Sequence, residues 1–481
     1  MHRLLLFLTS ALALAGCGER GQRKDDAPVV VSAIGAAAAM RDPATAPLDA
    51  PARVLLGATA QGLVRFDAAG QIEPGLAERW IVIDDGRSYI FRLREAQWSD
   101  GAPVTAAQVV RALRRDVAAS HSPLAPFLAV IDEIVEMTPS VIEVRLKRPR
   151  PDLLKLFAQP ELAVVRNGGG SGPFRIARAD RGGIVLLPAP DPIAPEGEAA
   201  PEDTVLLRGE RASLALARFM DGKSDLVLGG GVADWPLVAA AGIAPANIRS
   251  DPATGLFGLA VARRDGFLAD PANRAAIAMA IDRVEMTRAL KPDWAPIETL
   301  LPAQLDSAAR PAQPAWTALR LEVRRIDARA RIAAWRRSHA GPLRIRVALP
   351  RGPGATVVWG YVAEALLAIG AEPLRVGIGD AAELRLVDAV APYDSGRWFI
   401  ATACAPCSAT AAALIEAARD APDLPQRGLR IAEADAALAA DFAYIPIAQP
   451  LRWSVVALRL QAWQGNTRAW HPLNHLRNET R

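Results

Sequence analysis

Few side chains in this sequence are spaced for chemistry, and the closest pair is Cys404-Ala-Pro-Cys407. Two thiols at that spacing can close a local disulfide in an oxidising compartment. They can also work as a redox dithiol where a following helix lowers a thiol pKa. A helix is expected just beyond, over Thr410 to Arg419, but no compact βαβ thioredoxin pattern surrounds it. That favours a structural disulfide over redox turnover. Zinc would need a second ligand pair, and none stands nearby. The histidines, His2, His121, His339, His471 and His475, are scattered, and Pro472 interrupts a helical pairing of the last two. Asn167 to Gly172, NGGGSG, lacks the lysine of a phosphate loop and the G-x-S-x-G pattern of a hydrolase elbow. The sequence therefore offers no catalytic constellation, and neither an enzyme, a cofactor nor a bound metal is expected.

The remaining cysteine closes a leader. In MHRLLLFLTSALALAGC, His2 and Arg3 form a short charged start, and Leu4 to Ala15 is an apolar run too short to span a bilayer. The run ends in Leu14-Ala15-Gly16-Cys17, the pattern of a bacterial lipobox. Its small residues admit a peptidase and its cysteine sulfur takes the lipid. Residues 1–17 are expected to be a lipoprotein signal peptide with Cys17 lipidated, and 18–27 a polar tether. The body would then be extracytoplasmic, periplasmic and anchored to a membrane by lipid.

The chain has 481 residues, 51% hydrophobic and 22% charged, an ordinary globular composition. At roughly 100–200 residues per domain, two to four domains are expected. The net charge is +4 with no basic block interleaved with aromatics, so nucleic-acid binding is not expected.

The elements that must position any site follow from periodicity. Tyr89, Phe91 and Leu93 alternate with Ile90, Arg92 and Arg94, the pattern of a strand with one apolar face. Asp100-Gly101 signals a turn, and Thr105 with Gln108 fits a capping box ahead of Val109, Val110 and Leu113. Strand, turn and capped helix read as scaffold, with Trp80 and Trp98 in its core. Val130 to Met137 and Val141 to Leu146 read as an antiparallel pair. NGGGSG is the strongest candidate hinge. Beyond it, strands are expected at Phe174 to Ala177, Ile184 to Leu187, Leu226 to Leu228, Gly255 to Val261, Leu343 to Leu349 and from Tyr444. Helices are expected over Ala52 to Val64, Leu214 to Asp221, Pro271 to Ile281, Arg325 to Arg337, Ala355 to Ile369 and Leu429 to Asp441. Ala189 to Asp203 and 292–318 read as irregular, Pro-rich segments. Helices and strands interleave with no fixed repeat, which argues α/β architecture in more than one lobe.

Several pieces, in order, resemble one family: PGLAERW (74–80), DDGRSYIFRLR (84–94), WSDGAPVTAAQVV (98–110), GSGPFRI (170–176), DPANRAAIAMAIDR (270–283) and YIPIAQPLRW (444–453). The set is similar to the bacterial extracellular solute-binding proteins of family 5, the peptide- and nickel-binding branch serving ABC importers. The resemblance covers about residues 50–475. It implies a two-lobed periplasmic-binding-protein-like α/β fold (class II) with an added accessory domain. Lobe I would comprise 26–52, 167–258 and 447–481, the accessory domain II 53–166, and lobe III 259–446. It further implies a monomeric lipoprotein that captures an oligopeptide or similar small solute between lobes I and III. The solute would pass to a permease and ATPase complex. The sequence departs from the family in places. Gln108 stands where Asp is usual, and LLPAPDPIAPEG replaces an Asn-Pro-x-Tyr-Trp stretch. In the region where peptide binders carry an aspartate-rich loop, 391–408, Asp394 is the only carboxylate. These departures motivate an alternative, a degenerate solute-binding fold serving as an envelope scaffold or sensory partner. Candidate ligand contacts are Tyr393, Asp394 toward an amine, Arg397 toward a carboxylate and Trp398 against a side chain. The competing reading places Trp398 in the lobe III core and Arg397 on its surface.

Overall fold

The computed structural model describes residues 24–119, 122–190, 200–404 and 406–477. The leader with Cys17, most of the tether, His121 and most of the 189–203 loop lie outside them.

Three larger sheets organise the chain. The first has seven strands, in the spatial order Ile248–Asp251, Arg452–Val456, Leu226–Gly230, Val29–Ile34, Val205–Glu210, Gly183–Pro188 and Phe174–Asp180. Val29–Ile34 lies at its centre, parallel to both neighbours, and reads Val-Val-Val-Ser-Ala-Ile with five of six residues buried. Such a two-sided apolar run suits a covered parallel strand. The second sheet has five strands, in the order Glu372–Gly377, Arg344–Leu349, Leu384–Val390, Gly255–Val261 and Tyr444–Ala448. The third is a four-stranded antiparallel sheet of Ala77–Ile83, Ser88–Leu93, Val141–Leu146 and Ile131–Thr138.

The chain passes from the first sheet to the second through 252–254 and returns through 449–451. Gly255–Val261 and Tyr444–Ala448 therefore lie in the five-stranded sheet over their whole length. The two passages are stitched together, since the Gly255 amide donates to Gln449 Oε1 at 2.8 Å. The Trp294 indole N–H donates to the Gln449 carbonyl at 2.9 Å.

The strand–turn–helix motif forms as its sequence dictates. Tyr89, Phe91 and Leu93 are buried, and Gly101 takes a φ of 81° at the turn. Thr105 Oγ1 accepts from the Gln108 amide at 3.4 Å, and Gln108 Oε1 accepts from the Thr105 amide at 3.2 Å. The same Gln108 oxygen accepts from Trp98 Nε1 at 2.9 Å, so one side chain ties strand end, turn and helix start together. Trp98 is buried, while Trp80 is only partly covered against the same core. Replacing Gln108 with alanine leaves that buried indole N–H and the cap amide unpaired. The expected loss is about 2 kcal/mol in urea unfolding.

One apolar core runs from the four-stranded sheet into the helices Gly396–Ala403, Ala409–Asp420 and Leu424–Asp441 beside the five-stranded sheet. Among the described residues no helix is long and apolar enough to cross a membrane.

Candidate ligand-binding cleft

In the region where peptide binders of the family carry an aspartate-rich loop, the chain turns after the strand Leu384–Val390 through 391–394 into the helix Gly396–Ala403. Its N-terminus is capped from within and from afar. Ser395 accepts from the Arg397 amide at 3.3 Å, and Asp306 accepts from the Ser395 hydroxyl at 2.9 Å and the Gly396 amide at 2.6 Å. This cap places the four candidate residues, and they go to different tasks.

Tyr393 is fully buried, edge-on to Phe127 with ring centroids 5.6 Å apart, and Arg150 lies over its ring. Burial pushes its phenol up to about 12. Arg397 is also buried rather than on the surface. It stacks on the Phe127 ring at 5.2 Å and donates to the Pro126 carbonyl at 3.1 Å. Burial, with Arg150 nearby, lowers it to about 10. Asp394 is held by both Lys155 and Arg468. Burial alone would raise its carboxyl, but those hydrogen bonds outweigh it and hold it below the usual range. Trp398 is the one of the four that lines a cleft. Cys404 and Cys407 are bonded to each other at the end of this helix.

The cleft has a volume of about 290 Å³ and lies where the helix Ala50–Thr59, the chain at 123–127 and 159–161, the end of the strand Leu384–Val390, the helix Gly396–Ala403 and the chain around 468–470 meet. Phe66, Phe127, Trp398 and Trp470 give it aromatic walls, and Arg53 and Glu161 are charged side chains in it. Arg53 stands on the helix Ala50–Thr59, whose first turn is capped by Asp49 accepting from the Ala52 amide at 3.1 Å. Gly57 lets Trp470 lie across that helix, since a Cβ there would sit 2.5 Å from the indole. Glu161 follows Pro160 in a short 3-10 turn. Arg53 Nη1 donates to Glu161 Oε1, and Glu161 Oε2 is buried with no hydrogen-bond partner among the described residues. Arg468 closes the other wall, donating to the Ala391 carbonyl at 2.8 Å and to Asp394.

A smaller hollow of about 100 Å³ shares Arg53 and Trp470 and runs on to Gly230, Asp251, Trp453 and His471. His471 Nε2 lies 3.2 Å from Asp251 Oδ2, and Trp453 Nε1 donates to the Gly231 carbonyl at 2.9 Å. Among the described residues no cluster of His, Cys, Asp or Glu could hold a metal ion. The arrangement is suited to binding and orienting a small solute.

Sequence reading did not find Arg53, Glu161 or Trp470. A signal for Glu161 exists, for it is the only carboxylate between Leu153 and Val165 in LLKLFAQPELAVV.

Residues 71–325 match the family described as bacterial extracellular solute-binding proteins, family 5 Middle. The probable deoxycholate-binding periplasmic protein YgiS of Escherichia coli is 48% identical over 71 residues, 14% of this chain and 13% of that protein. The periplasmic oligopeptide-binding protein OppA of Haemophilus influenzae is 33% identical over 130 residues, 27% of this chain and 23% of that protein. In these alignments the chain spans less than a quarter of either relative's length. The crystal structure of Haemophilus influenzae OppA in complex with RPPGFSPFR shares the fold over 94% of this chain and 99% of that one. Its TM-score is 0.78 at 16% identity.

Proposed function

The chain belongs to the bacterial extracellular solute-binding proteins of family 5, and from that premise we propose that it is the substrate-binding lipoprotein of an ABC importer. It captures an oligopeptide or similar small solute and delivers it to a membrane permease driven by an ATPase. Cys17 carries the lipid that keeps the body at the membrane surface. The lobes and accessory domain expected from sequence belong to the same reading. The seven-stranded sheet supports it, drawing its strands from 29–34, 174–251 and 452–456.

The observation that carries the reading is the cleft. It is concave, walled by four aromatics and provided with the Arg53–Glu161 pair and Arg468, the usual make-up of a small-molecule site. Its 290 Å³ equals on the order of ten water volumes, which suits a short solute better than a long extended one. The names of two relatives, a probable deoxycholate-binding protein and an oligopeptide-binding one, agree with solute capture.

Native mass spectrometry tests it on residues 18–481 purified gently from a periplasm. The expected spectrum carries an adduct that disappears on denaturation and fragments as a peptide or other small solute. A clean apo mass, followed by no binding from a panel of peptides, bile acids and metal chelates, would end the capture reading.

A further inference from the structure

Three arginines are buried together behind the cleft wall that carries Trp398. Arg150, Arg397 and Arg427 are 3%, 4% and 5% exposed. Each is only partly satisfied. Arg150 Nη2 reaches the Phe127 carbonyl at 3.4 Å and the Tyr393 hydroxyl at 3.5 Å. Arg397 Nη2 donates to the Pro126 carbonyl at 3.1 Å. Arg427 Nη2 donates to Ser395 Oγ at 2.7 Å and lies 3.5 Å from Asp152 and 3.3 Å from Asp306. The Nε atoms of all three, with Nη1 of Arg427, are buried and have no hydrogen-bond partner among the described residues. The cluster centres on one phenol. Burial raises the pKa of Tyr393, and all three guanidiniums act to lower it.

Carboxylates do not balance these charges. Asp152 is the buried one, while Asp306 is 36% exposed and is also engaged by the Gly396 amide. Arg148 and Arg419 bond with Glu416 and Asp420 nearer the surface, and counting all of these leaves the cations one ahead. A buried guanidinium without a counter-charge is costly, and so is a buried N–H without an acceptor. An anion offsets both. None of the three arginines lines the cleft or the hollow beside it, so the fitting partner is an ion rather than a solute.

We propose that Arg150, Arg397 and Arg427 hold a buried monovalent halide of chloride size. A spherical halide accepts from several N–H groups without fixed angles, which suits donors on three separate pieces of chain. Its single charge closes the balance. Arg397 precedes Trp398 on one helix, so the ion would fasten that cleft wall to the chain at 126–127 and 150–152.

The test is urea unfolding of the mature chain in sodium chloride and in sodium gluconate at equal ionic strength, so that screening is the same in both. The expected midpoint is higher in chloride and rises with its logarithm. Chloride at 100 times its dissociation constant raises the folded-to-unfolded ratio roughly 100-fold. Arg427→Met removes the excess cation and should abolish the difference between the two salts, whatever it does to stability itself. Crystals grown in sodium bromide should show an anomalous peak among Arg150, Arg397 and Arg427. Equal midpoints in the two salts overturn the site. A bromide peak with equal midpoints is an adventitious ion only, and overturns it as well. A chloride effect with no peak at the arginines, or one that survives in Arg427→Met, places the ion elsewhere and overturns it too. If Arg427→Met fails to fold, the two salts and the bromide peak on the unmodified chain decide the matter.

Discussion

Replacing Asp441 with alanine is expected to remove about 3–5 kcal/mol of unfolding free energy, the usual result of stripping one partner from a buried ion pair. Asp441 ends the long helix Leu424–Asp441 and is itself buried. Arg264 meets it with two hydrogen bonds of 2.5 Å, and Arg274 donates to Oδ1 at 2.7 Å. The Ser408 amide adds a fourth donor at 3.0 Å. Arg274 has no exposed side-chain surface, so without the carboxylate its charge would stay in place uncompensated. The loss should appear as a lower urea midpoint with an unchanged slope. Asp441→Asn, which keeps the shape and part of the hydrogen bonding, should fall between the two. A fall of less than about 1 kcal/mol for alanine would mean that water reaches Arg274 and that the cluster is not dry.

Asp435, six residues earlier on the same helix, works in the opposite sense. Its Oδ2 accepts from the Ala312 amide at 2.8 Å and so pins the Pro-rich segment, while Oδ1 is buried without a partner among the described residues. Burial pushes its carboxyl up to about 6, with only that one amide acting against it. The folded pKa is thus above the unfolded value of about 3.9. The stability this implies is fully present below pH ~4 and is lost as the pH rises through ~6, about 3 kcal/mol in all. Asp435→Asn removes the titration and keeps an acceptor for Ala312. Unfolding free energies at pH 4 and pH 7.5 should therefore show the wild type losing about 3 kcal/mol against the variant over that range. A constant difference would show that the carboxyl is not held near 6.

The strand–turn–helix was readable because its causes are local. A turn glycine, a cap and its partner three residues on, and a two-residue alternation all lie within one short stretch. The strands Val205–Glu210, Leu384–Val390 and Arg452–Val456 were not read, since each contains a charged residue and gains its place from distant partners. Leu384–Val390, for example, pairs residue by residue with Gly255–Val261. The helix Gly396–Ala403 starts on a glycine and is capped by Asp306, ninety residues back in the chain. The site was least legible for the same reason. Arg53 and Glu161 are 108 residues apart, and no local pattern announces that a helix and a turn will bring them into one wall. The four residues singled out from sequence do lie together, yet three of them fasten neighbouring parts of the protein and only Trp398 faces the cleft.

The two passages between the large sheets, 252–254 and 449–451, are three residues each and bonded side by side through Gly255 and Gln449. A door hung on two adjacent pins swings about the line through them and resists sliding and twisting. The bodies built on the seven- and five-stranded sheets are joined by chain in that way, so one angle is expected to describe any movement of one against the other. A single pair of distance labels, one on each body and far from the pins, would then follow the whole swing.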